Sequence, residues 1–237
     1  MKKSSIEEIR HRFDADVERF SNLETGQSAT VDAPLALELV TQAAACSTPN
    51  ATRMLDLGCG AGNFSVKQLE SLPNLNITLV DLSLPMLNRA VERLTPLTTG
   101  TIQTIQADLR DIDLGEEQFD VIHAAAVLHH LRTTSQWEQV FEKIYRALAP
   151  GGSFWIFDLI ESSTPAVGDL MWKQYGEYLT SLDNTSYRDK VFRYIEKEDT
   201  PRSLVYQLQL LQKQGYADIE ILHKNSCFAA FGAIKGR

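Results

Sequence analysis

Short apolar runs alternate along the chain with longer stretches in which apolar residues recur every three or four positions. The short runs, rich in β-branched residues, predict strands, and the longer stretches predict amphipathic helices. Seven runs have strand character: residues 54–57, 76–81, 101–107, 119–123, 153–159, 217–224 and 226–235. Strand and helix in succession predict an α/β fold, and the last two runs are close enough to pair as an antiparallel hairpin.

Two parts of the chain depart from this alternation. Residues 1–50 show helical spacing only, with a polar loop around Gly26 and a second helix that Asp32 is expected to cap. Residues 161–200 follow the fifth strand and form the most aromatic part of the chain. We divide the chain into an N-terminal helical cap (1–50), a core (51–160), a helical insert (161–200) and the end of the core (201–237), all in one structural domain.

The composition is that of an ordinary globular protein. Of the 237 residues, 43% are hydrophobic and 23% are charged, and the net charge is 23 − 31 = −8. That acidic balance argues against broad nucleic-acid binding, although it leaves room for a small basic patch. No run reaches the length of a membrane span, and the charged segment after Met1 is not an apolar leader, so we expect a cytoplasmic protein.

The sequence predicts no metal centre. Its three cysteines, Cys46, Cys59 and Cys227, are odd in number, far apart and without a C-x-x-C pair, so neither a zinc site nor a disulfide framework is indicated. The adjacent His129 and His130 have no cysteine, aspartate or third histidine at ligand spacing.

The most informative stretch is residues 54–63, where an apolar strand ends in an acid and runs into three alternating glycines. Gly58, Gly60 and Gly62 let the backbone turn sharply and approach a ligand closely, because no Cβ stands in the way. The helix that follows begins with free amide groups. Such a junction at the carboxyl end of a sheet strand predicts a nucleotide-type binding crevice.

The glycine spacing separates two types of ligand. A dinucleotide-binding fingerprint has the pattern G-x-G-x-x-G, and Asn63 stands where its third glycine would be. Asp56, two positions before the first glycine, disfavours a pyrophosphate and favours a ligand that carries an ammonium group. A plain tight turn without a ligand is the alternative interpretation.

The string D-L-G-C-G-A-G at residues 56–62 resembles the first motif of the class I S-adenosylmethionine (SAM) dependent methyltransferases. The strand at 119–123 followed by L-H-H-L, and the string L-x-P-G-G at 148–152, resemble the same family. The resemblance implies a Rossmann-like seven-stranded sheet, mostly parallel with an antiparallel C-terminal hairpin, and N-terminal helices and a helical insert as a cap. It also implies SAM as the cofactor and S-adenosyl-L-homocysteine (SAH) as its product. The resemblance rests on sequence motifs over roughly residues 53–159, and on the order of strands and helices alone in the remainder of the chain.

The resemblance further implies a set of cofactor-binding residues. They are Asp56, Gly58, Cys59, Gly60, Asp81, Leu82, Met86, Asp108, Leu109 and Ala124. Asp81 ends the second strand, where a carboxylate can accept hydrogen bonds from both ribose hydroxyls, and Asp108 follows the third strand and would bind the adenine amine. Helix capping is the alternative for both acids, and packing in the core is the alternative for Met86.

Several side chains are candidates for binding or deprotonating the methyl acceptor. His129 is our first candidate for a general base, because an unperturbed histidine titrates near neutrality, and a structural histidine is the alternative. Candidates for acceptor binding are His11, Asp158, Tyr175, Tyr178 and Arg188. The insert that holds the last three would form a lid, with helix packing and surface charge as the alternative.

The predicted function is transfer of the SAM methyl group to a small-molecule acceptor. The chain around Gly215 and residues 228–235 is also similar to the carboxy-SAM synthases of wobble-uridine tRNA modification, so a carboxy-SAM synthase or tRNA-modifying methyltransferase is the second prediction. A SAM-binding protein without catalytic activity is the third, and a dehydrogenase is the least favoured. The identity of the acceptor, a tRNA partner and a homodimer stay open, and no membrane partner is expected.

Overall fold

A computed structural model describes residues 3–22 and 27–237, so the middle of the predicted loop around Gly26 lies outside the described residues. The helices are α1 (Ile6–Ala15), α2 (Val17–Ser21), α3 (Ala33–Ser47), α4 (Asn63–Leu69), α5 (Leu84–Leu94), α6 (Thr134–Ala147), α7 (Pro165–Leu182), α8 (Thr185–Glu198) and α9 (Leu204–Gln214). The strands are β1 (Arg53–Leu57), β2 (Asn76–Asp81), β3 (Ile102–Gln106), β4 (Phe119–Ala125), β5 (Leu148–Leu159), β6 (Asp218–Asn225) and β7 (Phe228–Ile234). A short 3₁₀ turn, Leu128–His130, follows β4.

The strands form one sheet in the order β3-β2-β1-β4-β5-β7-β6. The first five strands are parallel, whereas β7 runs antiparallel to both β5 and β6. The predicted fold, a mostly parallel seven-stranded sheet with an antiparallel C-terminal hairpin, is therefore confirmed. The strand order reverses between the neighbouring strands β1 and β4, which is where α/β sheets of this kind open a crevice.

Apolar side chains fill both faces of the sheet, because the buried strands alternate their side chains between two helical layers. Leu79 packs in the layer that includes α3 and α4, and its neighbour Val80 packs in the layer that includes α6 and α9. Helix α5 begins at Ser83, whose hydroxyl accepts the N–H of Met86. Within the described part of the chain, no helix combines the length and the apolar character needed to cross a membrane.

The expected capping role of Asp32 is wrong. Asp32 does precede α3, but its backbone is left-handed, with φ of 57°, and its side chain caps no N–H group. Its carboxylate is instead hydrogen-bonded to His223 Nε2 and to the amide of Asn225, both at 2.8 Å. These two bonds tie the start of α3 to β6.

The beginning of α1 is fastened to the end of α8. The N–H of Ser4 donates to the Lys197 carbonyl at 3.1 Å, and Arg12 pairs with the Glu198 carboxylate at 2.6 Å. The Arg12 guanidinium also lies 4.2 Å from the ring centroid of Tyr194. We call this set of contacts the α1–α8 junction; it sets the position of α1 relative to the sheet.

We predict that Gly232→Ala destabilises the protein. A Cβ at Gly232 would lie 2.3 Å from Cε3 of Trp155 and 2.4 Å from the Phe154 carbonyl oxygen, so the strand or the indole must shift. The expected loss in the free energy of unfolding is about 1–3 kcal/mol, measured by urea denaturation. The matched control is Gly168→Ala within α7, where the nearest atom is 3.9 Å from the new Cβ. It should stabilise the protein by about 0.5–1 kcal/mol, and equal effects of the two changes would contradict this account.

Candidate active site

A cavity opens at the carboxyl ends of β1, β2 and β4. Nine of the ten predicted cofactor residues line it: Asp56, Gly58, Cys59, Gly60, Asp81, Leu82, Met86, Asp108 and Leu109. Ala124 is fully buried and does not reach the wall, whereas Ala125 and Ala126 do. The end of β4 therefore contributes to the cavity one and two residues later than the sequence predicted.

The glycines of the turn after β1 have different surroundings. All three glycines have positive φ, at 65°, 51° and 80° for Gly58, Gly60 and Gly62. A Cβ on Gly58 would lie 2.4 Å from Cγ2 of Val127, so that residue must be small for the structure to pack. A Cβ on Gly60 would meet nothing within 4 Å, because Gly60 faces the open cavity. The space in front of Gly60 is thus available to a ligand.

Asp56 is a buried acid in this turn. Its carboxylate accepts a hydrogen bond from the Ser65 hydroxyl at 2.6 Å and is 2% exposed as a residue. Burial raises its pKa to about 7, against the lowering effect of Ser65, and the charge of Asp81 raises it further. Burial of a carboxylate whose side-chain partner is a neutral hydroxyl is unfavourable, because no positive charge balances it. An ammonium group in the cavity would offset that cost.

Asp81 connects the glycine turn to the second strand. Its carboxylate accepts the N–H groups of Gly60 and Ser83, both at 2.8 Å, and burial raises its pKa in spite of these bonds. Two carboxylate oxygens at the end of β2 thus stand at the cavity wall beside Gly60.

Asp108 has a partner that the sequence did not predict. Arg110 forms a two-pronged ion pair with its carboxylate and lines the cavity as well. Burial alone would raise the pKa of Asp108, but the bonds and charge of Arg110 outweigh it and lower that pKa. No motif in the sequence marks Arg110, because the pairing depends on the turn that follows β3.

The two histidines of the L-H-H-L string have different surroundings. His129 lies outside the cavity wall, with Nδ1 bonded to the buried carboxylate of Asp158. Burial disfavours its charged form, but Asp158 and Asp199 outweigh burial and raise its pKa to about 9. His130 does line the cavity, and burial together with the charge of His129 lowers its pKa. Its place behind the cavity wall and its bond to Asp158 argue against the predicted general-base role of His129.

The N-terminal helices supply an apolar wall. Ile9, Phe13 and Phe20 from α1 and α2 face the glycine turn across the cavity. The rings of Phe13 and Phe20 lie 5.6 Å apart, and the ring of His130 lies edge-on to Phe13 at 6.1 Å. The apolar spacing of the first helix was visible in the sequence, but which residues face the cavity was not.

None of the five predicted acceptor-binding residues lines the cavity. His11 is 66% exposed and pairs with Glu7, Arg188 pairs with Asp189, and Asp158 is engaged by His129. The hydroxyls of Tyr175 and Tyr178 donate to the carbonyls of Ala29 and Ser28, at 2.9 and 2.8 Å. The aromatic insert therefore holds the segment before α3, and its residues do not form the cavity wall among the described residues.

Comparison with known proteins agrees with this geometry. Residues 55–154 match the family model of the methyltransferase domain. The methyltransferase YqeM of Bacillus subtilis is 32% identical over 117 residues, which are 49% of this chain and 45% of that protein. The carboxy-S-adenosyl-L-methionine synthase of Trichodesmium erythraeum is 28% identical over 190 residues, or 78% of this chain and 73% of that protein. The chain spans about half the length of several curated relatives that it matches.

A solved structure shows the same fold. It is the 1,6-didemethyltoxoflavin-N1-methyltransferase of Burkholderia thailandensis with bound 1,6-didemethyltoxoflavin and SAH, at a TM-score of 0.63 and 16% identity. The alignment covers 100% of this chain and 93% of that one. The fold, the glycine turn and the methyltransferase-domain match over residues 55–154 together make the chain similar to the class I SAM-dependent methyltransferases, the family that its motifs resemble.

We predict that Asp56→Asn stabilises the ligand-free protein increasingly as the pH rises. Because the folded-state pKa of Asp56 is raised to about 7, its contribution to stability is full at low pH and is lost as the pH rises through 7. Asparagine keeps the shape and can still accept from Ser65 but carries no charge. The stability difference between variant and wild type should grow by about 2–3 kcal/mol from pH 5 to pH 8 in urea denaturation. The exposed Asp111→Asn is the control, and a difference independent of pH for Asp56→Asn would refute this assignment.

Proposed function

We propose that the protein transfers the methyl group of SAM to a small-molecule acceptor. The observation that carries the proposal is the buried Asp56 carboxylate, bonded to the Ser65 hydroxyl, beside the open space in front of Gly60. That combination suits a ligand with an ammonium group and no phosphate. The family match over residues 55–154 supports the same cofactor.

The residues of the cavity fit SAM part by part. Asp56, Gly58, Cys59 and Gly60 would hold the methionine part, with Asp56 facing its ammonium group. Asp81 would accept hydrogen bonds from the ribose hydroxyls, next to Leu82. Met86, Asp108 and Leu109 would surround the adenine. Bound SAM supplies an electrophilic methyl group on a sulfonium.

The protein itself would then contribute two things: it orients the two ligands and excludes water from the reacting groups. The apolar wall of Ile9, Phe13 and Phe20 would exclude water from the face opposite the glycine turn. Transfer from a sulfonium needs an acceptor atom in line with the methyl group, so most of the rate comes from holding two ligands in one orientation. The wall suits an acceptor with an apolar body. His129, Asp158, Tyr175, Tyr178, Arg188 and His11 take no direct part in this proposal.

A carboxy-SAM synthase is the second candidate. The relative of that name matches 78% of this chain, whereas the methyltransferase YqeM matches 49%. Its product adds a carboxylate to the cofactor, and Arg110 is a cation on the cavity wall that could meet such a group once released from Asp108. A non-catalytic SAM-binding protein is the third candidate. A tRNA acceptor, a homodimer and a cytoplasmic location stay predictions.

We predict that SAM binds in isothermal titration calorimetry and that Asp81→Asn weakens binding tenfold or more, which is about 1.4 kcal/mol. The variant loses one ribose-facing carboxylate and loosens the bond to the Gly60 N–H. Wild-type affinity should rise several-fold between pH 6 and pH 7, because Asp56 ionises in that range. The control, Asp111→Asn, should bind like wild type. Absence of SAM binding to the wild type would sink the proposal.

Mass spectrometry of the ligand carried through purification separates the first two candidates. SAM or SAH released from the denatured protein favours methyl transfer. A carboxylated SAM in its place favours the synthase. If SAM binds but no small acceptor in a test set is methylated in the presence of the protein, the result favours a SAM-binding protein without catalytic activity.

A further inference from the structure

Two histidines and an aspartate meet beside the cavity, and the cofactor proposal uses none of them. His129 and His130 belong to the 3₁₀ turn after β4, and Asp199 follows the end of α8. The Asp199 Oδ1 atom lies 3.3 Å from His130 Nδ1 and 3.7 Å from His129 Nε2. One ligand atom from each of the three residues lies within 4.8 Å of the other two. We call this group the His–His–Asp cluster.

Two buried polar atoms of the cluster have no hydrogen-bond partner. They are His130 Nδ1 and Asp199 Oδ1, and Asp199 is only 4% exposed. Buried polar atoms of this kind are nearly always satisfied, so an unpartnered pair that faces each other needs an explanation. The contact from His129 Nε2 to Asp199, at 3.7 Å, is too long for a hydrogen bond.

The distances suit two ligands of one ion. In a tetrahedral zinc site with metal–ligand bonds of about 2.0–2.1 Å, neighbouring ligand atoms lie about 3.3–3.4 Å apart. The 3.3 Å separation of His130 Nδ1 from Asp199 Oδ1 matches that spacing, and the 3.7 Å separation of His129 Nε2 is slightly wider. The cluster thus has dimensions that a metal site requires.

A second carboxylate orients the first histidine. Asp158 accepts the backbone N–H of His129 at 3.0 Å and is also bonded to its ring Nδ1. That bond fixes the orientation of the ring and directs Nε2 toward the Asp199 carboxylate, at 3.7 Å. A carboxylate behind a histidine is the usual arrangement at protein metal sites.

The charged side chains around the cluster balance one another before a metal ion binds. Arg12 is paired with Glu198, and Arg132 donates to the Glu198 carbonyl and, at 3.3 Å, to the Thr200 hydroxyl. Lys3 donates to the backbone carbonyl of Asp199. With these cations balanced by Glu198, Asp158 and Asp199, a bound dication would carry excess positive charge that an oxyanion could neutralise.

We propose that the His–His–Asp cluster binds one divalent transition-metal ion of the Zn²⁺ type through His129 Nε2, His130 Nδ1 and Asp199 Oδ1. Two imidazoles and one carboxylate are donors that suit Zn²⁺ and its neighbours better than Mg²⁺ or Ca²⁺. Three protein ligands leave a fourth position open, as in catalytic zinc sites. Since His130 lines the cavity, that position would take an oxygen of the methyl acceptor. This last role rests on the proposed function, whereas metal binding does not.

The test is metal titration of the chelator-treated full-length protein. Co²⁺ is followed by its visible absorption, which is intense for a four-coordinate site, and Zn²⁺ is followed by calorimetry. Both experiments use a Cys46→Ser background, because Cys46 is an exposed thiol that could bind either ion. We expect one equivalent of each ion to bind. Asp199→Asn and His130→Ala should each lower the affinity at least tenfold, and Asp158→Asn by about 10–100-fold.

The matched control is His223→Gln, which removes another histidine paired with an aspartate, His223 with Asp32. It should leave the affinity unchanged, and circular dichroism verifies that each variant is folded. Failure of wild type to bind either ion, or equal affinities in folded His130→Ala and the control, would overturn the proposal. SAM titration of the same preparations keeps the two proposals apart. Metal binding without SAM binding would count against the methyltransferase proposal alone, and SAM binding without metal binding against the metal site alone.

Discussion

The turn after β1 is held against the end of β2 by three successive backbone N–H groups. Those of Gly58 and Cys59 donate to the Val80 carbonyl, at 2.8 and 3.1 Å, and that of Gly60 donates to the Asp81 carboxylate. These bonds require the left-handed backbone that glycine adopts without strain. They fix the distance between the ends of the two strands and so bring Asp56 and Asp81 to one wall. The cavity, its acidic floor and the start of α4 all depend on this connection.

The acidic floor determines which ligands the crevice accepts. Burial raises the pKa of both Asp56 and Asp81, because neither carboxylate has a cationic partner among the contacts described here. A pyrophosphate would bring further negative charge into the same low-dielectric space, whereas an ammonium group would remove the penalty. Thus the same glycine-turn architecture that binds dinucleotides elsewhere has here the opposite electrostatic preference.

Local patterns in the sequence predicted the fold and nine residues that line the cavity, because both depend on short-range signals. Strand periods, the glycine turn and the Ser83 cap all lie within a few residues of the groups they position. Partners far apart in the chain were not predictable. Asp199 reaches the histidines only because α8 ends beside the 3₁₀ turn, and spacing along the chain does not reveal that contact.

The aromatic insert illustrates the same limit. Its tyrosines carry a polar tip on an apolar body, which fits a ligand pocket and a packed helix equally well. Whether the tyrosines line a pocket or pack the helix depends on the position of two backbone carbonyls in the segment before α3. No pattern within the insert encodes that position. Asp32, taken for a helix cap, likewise bonds to β6 near the other end of the chain.

The α1–α8 junction has a kinetic consequence. Since α1 forms part of the cavity wall, an acceptor of the proposed reaction that approached from that side would reach the cavity only after α1 moves away. The polar contacts that oppose that movement include the Arg12–Glu198 pair, the bond from Ser4 to Lys197 and the bonds from Lys3 to backbone carbonyls at the end of α8. Opening that costs a few kcal/mol would leave roughly 0.1–10% of molecules open at any time. The arrival of the acceptor would then be gated by the first helix, and its rate would depend on residues that never touch either ligand.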